Sequence, residues 1–151
     1  MRRKDREISD LGEIDTVLRK ARVCRIALAD GNGPYIVPLC FGYEPGAVYL
    51  HSAPEGKKLD MIRSDPRCCF EVDLFDSLEK GERPCAWSMN YRSVIGFGTA
   101  TILSDPEDKR HGLLCIMRQY HTGIHEFSDD EVSRVAVIRI AVTSMTAKKR
   151  G

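Results

Sequence analysis

Apolar positions recur at two periods along this chain, and the alternation between them lays out most of the elements. Behind Ser9-Asp10, residues Ile14, Val17, Leu18 and Ala21 follow helical spacing, which predicts a short helix with Asp10 capping the amide of Glu13. Val23 to Ala29 then alternates with a period of two. Asp30-Gly31-Asn32-Gly33 supplies residues that accept positive φ, so a hairpin into a strand over Tyr35 to Phe41 is predicted. Gly42 to Gly46 reads as a turn and Ala47 to Ser52 as a third strand of the meander. Leu59, Met61 and Ile62 give a second helix of two or three turns, ended by Asp65-Pro66. Arg67 to Leu74 returns to strand, Phe75 to Pro84 is polar and reads as a surface loop or flap, and Met89 to Leu103 is β-rich. Gly96 and Gly98 mark a bend or bulge there. Ser104-Asp105-Pro106-Glu107 starts a third helix that runs to about Tyr120, and Val135 to Val142 is the last strand.

Six strands in meanders with three short helices predict a mainly β (α+β) fold, a small antiparallel barrel with peripheral helices. The 151 residues make a single domain, with 1–8 and 145–151 expected as flexible tails. A domain of this length folds without disulfides or a structural metal. Lys and Arg number 23 against 22 Asp and Glu, a net charge of +1, which removes the field that nucleic acid or an anionic membrane would need. No apolar run reaches transmembrane length and no apolar stretch follows the basic start, so a cytoplasmic protein is expected. Cys24, Cys40, Cys68, Cys69, Cys85 and Cys115 contain no C-x-x-C pair and are expected as reduced, mostly buried thiols. His51, His111, His121 and His125 do not supply the spacing of a zinc module, so no metal is expected.

Chemistry concentrates in three places. His51-Ser52-Ala53-Pro54-Glu55-Gly56-Lys57-Lys58 is a strand end feeding a helix start, where free amides, the Ser52 hydroxyl and the Lys57 or Lys58 ammonium can hold an anion; solvated lysines on a short helix are the plain alternative. The G-x-x-x-x-G-K-[ST] spacing of a P-loop is absent. Pro38 interrupts a strand, which places it at an edge where backbone groups near Val37, Leu39 and Cys40 are open to a ligand, or where it simply blocks pairing with another chain. Ser88 to Gly96 gathers polar residues at a strand entry, either a site rim or a solvated entry.

Five segments in order, Arg2 to Ile8, Val23 to Ala27, Pro34 to Tyr43, His51 to Lys58 and Tyr91 to Gly98, resemble the successive motifs of the nitroimidazole-resistance (Nim) flavoproteins. That family belongs to the FMN-binding split barrels related to pyridoxamine phosphate oxidase. The resemblance implies a six-stranded antiparallel split β-barrel that binds FMN as a homodimer, with FMN at the subunit interface. It implies the FMN phosphate near Ser52, Ala53, Lys57 and Lys58, the isoalloxazine along Val37, Pro38, Leu39 and Cys40, and Arg92, Ser93 and Val94 on a strand that reaches the flavin, from either subunit. It also implies His51 beside the flavin as the residue that touches substrate, with Arg25 either assisting the phosphate or acting as a surface charge. The oxidase's R-x-V-L-L-K strand is replaced here by Tyr35-Ile36-Val37-Pro38-Leu39-Cys40, and its C-terminal substrate-binding extension is missing, which argues against pyridoxamine phosphate as substrate.

Two function classes follow. In the first, FMN takes hydride from NAD(P)H as a transient donor and a small acceptor such as a nitroaromatic is reduced; the absence of G-x-G-x-x-G means that the nicotinamide visits rather than resides. In the second, the same barrel is a non-catalytic flavin- or haem-binding protein, with His51, His111, His121 or His125 as the haem ligand.

Overall fold

The computed structural model describes residues 3–31 and 33–151. Asn32 of the expected hairpin turn, and Met1 and Arg2 of the expected N-terminal tail, lie outside the described residues. The chain runs β1 (Glu7–Ile8), α1 (Leu11–Lys20), β2 (Cys24–Asp30), β3 (Gly33–Leu39), β4 (Phe41–Glu44), β5 (Ala47–Ser52), α2 (Lys57–Ser64), β6 (Arg67–Glu79), β7 (Ser88–Ile102), α3 (Pro106–Tyr120), α4 (Asp129–Ser133) and β8 (Ala136–Arg150). Both caps named from sequence form. The Asp10 carboxylate accepts from the Glu13 amide at 2.7 Å, and the Asp105 carboxylate accepts from the amides of Glu107 and Asp108 at 2.9 and 3.1 Å.

The strands form one antiparallel sheet in the order β3-β2-β6-β7-β8-β5-β4, with β1 added to β8. β3 and β4 sit at opposite ends of this path, yet only Cys40 separates them in sequence. Residues 39 and 41 can be no more than about 7 Å apart, so the sheet must curl until its two ends meet. No ladder joins β3 to β4 among the described residues, which makes the barrel split rather than sealed.

The inward stripe of each strand fills it: Ile26 and Leu28 from β2, Phe70 and Val72 from β6, Val94 from β7, Ile138 and Ile140 from β8, Val48 and Leu50 from β5. Helices α1 and α2 cover this core with Val17, Leu18, Leu59 and Ile62. Gly96 stands opposite Phe70, and a Cβ there would meet the Phe70 ring at 2.2 Å, so the glycine makes room for one of the two fully buried phenylalanine rings. α3 and α4 lie on the outer face of β5 and β8, packing Leu113, Cys115, Ile116 and Val132 on Ala47, Tyr49 and Val137.

Three expectations need correction. Among the described residues the strands number eight rather than six, because the expected strand over Tyr35 to Phe41 stops at Leu39, Phe41–Glu44 forms β4 across most of the stretch expected as a turn and pairs with β5, and Glu7–Ile8 adds β1. The polar Phe75 to Pro84 stretch is not all loop: Ser77, Leu78 and Glu79 pair with Asn90, Met89 and Ser88, lengthening the β6–β7 hairpin into an arm. Neither described terminus is a tail. β8 continues to Arg150, pairing with β7 on one side and with Glu7 and Ile8 on the other, and it buries Ala147 against Ile8 and Val94.

Candidate functional site

The connection from β5 to α2 combines the exposed chemistry of one barrel end. Gly56 precedes the first turn of α2 at φ 131°, a left-handed backbone that favours glycine, and no side chain caps the helix. The Gly56 carbonyl accepts from the amides of Leu59 and Asp60 at 2.9 and 3.3 Å, so the amides ahead of them have no acceptor within the helix. These donors and the positive end of the helix dipole favour an anion. The Lys57 ammonium lies 4.8 Å from the centroid of the Tyr35 ring, a cation–π contact that joins the start of α2 to β3. Ser52, half-buried, donates its hydroxyl to the Ala53 carbonyl at 2.9 Å; Ala53 is exposed and Lys58 half-buried.

β3 is an end strand of the sheet, so its outer backbone groups are not taken by a neighbouring strand. Pro38 faces Arg25 across the ladder and is exposed at this edge, where its missing N–H removes no ladder bond from a central strand. Val37 and Leu39 turn toward the core and are half-buried, while Cys40 is exposed between β3 and β4.

His51 ends the same strand as Ser52 but takes the opposite face. It pairs with Val137 and lies on the side of β5 that carries Ala47 and Tyr49, the side covered by α3. Its Nδ1 is buried and has no hydrogen-bond partner. The ring lines a cavity of about 380 Å³ bounded otherwise by α3 and the α4 region. The other histidines are engaged. His111 Nε2 lies 3.1 Å from Glu44, which also accepts from the Tyr49 hydroxyl at 2.8 Å, and His121 Nδ1 lies 3.3 Å from His125 Nε2. Burial pushes the Glu44 carboxyl up, but the hydrogen bonds from Tyr49 and His111 outweigh it and leave the group below its ordinary value.

Arg92, Ser93 and Val94 are not gathered with these residues. Arg92 is held by Asp76 through two bonds of 2.6 and 3.0 Å and lines a separate depression with Glu13, Asn90 and Lys149. Hydrogen bonding to Arg92 holds the Asp76 carboxyl below its ordinary value. Ser93 is half-buried between Asp73 and Lys148 of the neighbouring strands. Val94 is fully buried in the barrel core, and its side chain packs there. Arg25 is paired with Asp73 at 2.6 Å and Glu71 at 3.1 Å on the outer face of the sheet, so its charge is already balanced.

Two further features border the site residues read from sequence. Tyr35 is one: an aromatic three residues before Pro38 on the edge strand, it carries the Lys57 cation. The α4 wall of the His51 cavity carries a local signal of its own: Ser128-Asp129-Asp130-Glu131 has the S-x-x-E spacing of a capping box, which forms here with Ser128 and Glu131 bonded both ways.

The thiols divide by depth. Burial pushes Cys24 up to about 12 and Cys68 and Cys115 up to about 11, so these three stay protonated at neutral pH, whereas Cys40 and Cys85 are exposed. Iodoacetamide is therefore expected to modify Cys40 and Cys85 rapidly in the folded protein and Cys24, Cys68 and Cys115 only after denaturation. Peptide mass mapping against time checks this, and early loss of Cys24 would contradict it.

Outside the barrel, Ile36, Ala27, Cys69 and Phe97 stand side by side across β3, β2, β6 and β7 in cross-strand register. Ile36 is 64% exposed and Phe97 52% exposed, with Ile95 beside them, so the outer face carries an apolar stripe with no cover from its own chain.

Comparison with known proteins places this geometry. A family model described as pyridoxamine 5'-phosphate oxidase matches residues 10–149. A curated uncharacterized protein of Rhizobium meliloti (strain 1021) is 31% identical over 65 residues, which span 43% of this chain and 42% of that protein's length. Among solved structures, a protein from Bacteroides thetaiotaomicron VPI-5482 named a putative 5-nitroimidazole antibiotic resistance protein superposes with a TM-score of 0.85 at 35% identity, over 95% of this chain and 86% of that one. The flavocytochrome Anf3 from Azotobacter vinelandii has a TM-score of 0.86 at 21% identity, over 100% of this chain and 72% of its own. The FAD and haem binding protein from Mycobacterium smegmatis also has 0.86, at 18% identity over 97% and 74%. The last two are similar in fold. No helix among the described residues is long and apolar enough to cross a membrane.

Proposed function

This chain belongs to the pyridoxamine 5'-phosphate oxidase family, and from that premise we propose that it binds FMN and reduces a small acceptor such as a nitroaromatic, with NAD(P)H as a visiting donor. The observation that carries the reading is the start of α2. An uncapped helix with glycine before its first turn, and a lysine held by an aromatic ring, is a ready phosphate site. The solved structure at 35% identity, named for resistance to 5-nitroimidazole antibiotics, supports the choice of acceptor.

In this reading Ser52, Ala53, Lys57 and Lys58 hold the FMN phosphate, and the free edge at Val37, Pro38, Leu39 and Cys40 lies along the ring system. FMN held there would supply two-electron chemistry between the nicotinamide and the acceptor. The protein's part is to fix the phosphate, align the ring against the β3 edge and present His51 to the acceptor. The Ile36–Phe97 stripe supports a second copy on the outer face, and such a dimer would bring Arg92 and Ser93 to the partner's flavin.

Purified protein is expected to show flavin absorption, to release FMN on denaturation, and to be bleached anaerobically by NADH or NADPH and reoxidised by a nitroimidazole. Protein that neither retains flavin nor quenches added FMN overturns the reading. A Soret band on haem addition, with no flavin binding, favours the haem alternative.

A further inference from the structure

We infer that a second cavity, between α3 and the outer face of β5, β8 and β7, binds a small zwitterion of the α-amino-acid class, with its carboxylate on Arg139 and its ammonium on Asp108. The cavity holds about 300 Å³ and is lined by Tyr49, Thr101, Leu103, Asp108, His111 and Arg139. That volume falls at the small end of the range in which ligands are held, from about 300 Å³ upward. Gly112 divides this space from the cavity beside His51: its backbone sits so close to the sheet that a Cβ would meet Val137 at 2.7 Å and Tyr49 at 2.9 Å. None of the lining residues belongs to the start of α2 or the β3 edge, so the assignment does not rest on flavin binding.

Strand alternation and helix spacing put opposite charges on the two walls. Arg139 is the single charged residue of Val135 to Val142, and because Ile138 and Ile140 fill the core, the period of two turns it outward. There it stands half-buried between Tyr49 of β5 and Thr101 of β7 in cross-strand register. Asp108 and His111 lie three residues apart on α3 and so share a face of the helix. The seat of Gly112 on Tyr49 and Val137 holds that face over the sheet.

Among the described residues, neither Arg139 nor Asp108 forms an ion pair, with each other or with any third group. Glu44 lies within the field of Arg139, but it is already held by the Tyr49 hydroxyl at 2.8 Å and by His111 Nε2 at 3.1 Å. Two carboxylates, Asp108 and Glu44, thus stand against one guanidinium. A simple carboxylate anion would enter against that local charge, and a simple amine would leave Arg139 uncompensated. A zwitterion answers both walls and adds no net charge. The guanidinium fork matches a carboxylate through two parallel bonds, and the exposed Thr101 hydroxyl beside it can donate one more. Leu103 and the Tyr49 ring supply the apolar wall, which suits a short side chain. His111, fixed by Glu44 and by the edge of its ring against Tyr49 at 5.5 Å, reports on whatever enters.

The test uses the full chain with ¹³C-labelled histidine and L-alanine as the probe. The His111 ring resonances are expected to move saturably while those of His51, His121 and His125 stay fixed, since only His111 lines this cavity. Propionate and ethylamine are alanine without its amine and without its carboxylate, and each is expected to bind about tenfold more weakly or worse, the loss of one charge-assisted contact. Arg139→Gln should weaken alanine by a similar factor, and Arg139→Lys should recover part of the loss. Asp108→Asn changes an exposed position of α3 and should erase the preference for alanine over propionate, which keeps the test decisive if the Arg139 variants do not fold. An unmoved His111, propionate or ethylamine bound as tightly as alanine, or unchanged alanine affinity in a folded Arg139→Gln or Asp108→Asn protein overturns the proposal. So does an alanine-dependent shift at His51 in place of His111, since the ligand would then sit in the neighbouring cavity.

Discussion

Replacing Lys57 and Lys58 together by alanine is expected to weaken FMN binding by about 3 kcal/mol, roughly a hundredfold in Kd, and to leave riboflavin binding unchanged. The magnitude is that of a charge-assisted hydrogen bond to phosphate plus a second cation close by. Riboflavin has the same ring system without the phosphate, so it reports on the β3 edge and not on the α2 start. The fold should survive, since Lys57 is exposed, Lys58 is half-buried, and the core residues of α2 are Leu59, Met61 and Ile62. Losing the Lys57 contact with Tyr35 should cost at most about 1 kcal/mol of stability. FMN affinity of the unaltered protein should also fall with added salt, and that dependence should flatten in the double variant. Fluorescence titration with both flavins checks all of this. Equal loss for FMN and riboflavin would move the phosphate elsewhere, and no loss for either would remove α2 from the site.

The parts of this site that lie in one short segment were legible because their chemistry is local. The helix start after Gly56 and the edge proline Pro38 are readable from residue type, since backbone amides, φ and a missing N–H are properties of a few consecutive residues. What was not legible depends on faces. His51 and Ser52 are adjacent in sequence and stand on opposite sides of β5, and only the position of α3 decides what each one meets. Val94 reads as a site residue beside Arg92 and Ser93, but the alternation of β7 sends it into the core. The fold divides in the same way. Asp10 and Asp105 announced their helices, and the β2–β3 hairpin followed from alternation. The hairpin arm beyond Phe75 did not, because strands that extend past a core have no buried face and so no period of two.

Ala147 gives that last point its sharpest test. Residues 143–150, Thr-Ser-Met-Thr-Ala-Lys-Lys-Arg, look like a solvated end because their only apolar members are Met145 and Ala147, and three cations follow. In the barrel the small Ala147 side chain is what the narrow interior can take between Val94 of β7 and Ile8 of β1, where it is 1% exposed, while Met145 packs half-buried opposite Gly96. Ala147→Asp is therefore expected to destabilise the protein by at least about 3 kcal/mol, because it places an unpaired carboxylate in the core. With about 2–4 °C per kcal/mol for a chain of this size, Tm should fall by roughly 10 °C. Lys149→Ala, two residues further on, removes only the partly exposed pair with Glu13 and should cost less than about 1 kcal/mol. A solvated tail would tolerate both changes within about 0.5 kcal/mol, so thermal and urea unfolding of the two variants separates a closing strand from a free end. Since β8 is the strand that joins β7 to β5, its loss would also disconnect the hairpin arm bearing Arg92 from the strand that ends in His51 and Ser52. Ala147→Asp is thus expected to lower flavin retention together with Tm, whereas Lys57→Ala with Lys58→Ala lowers flavin retention alone.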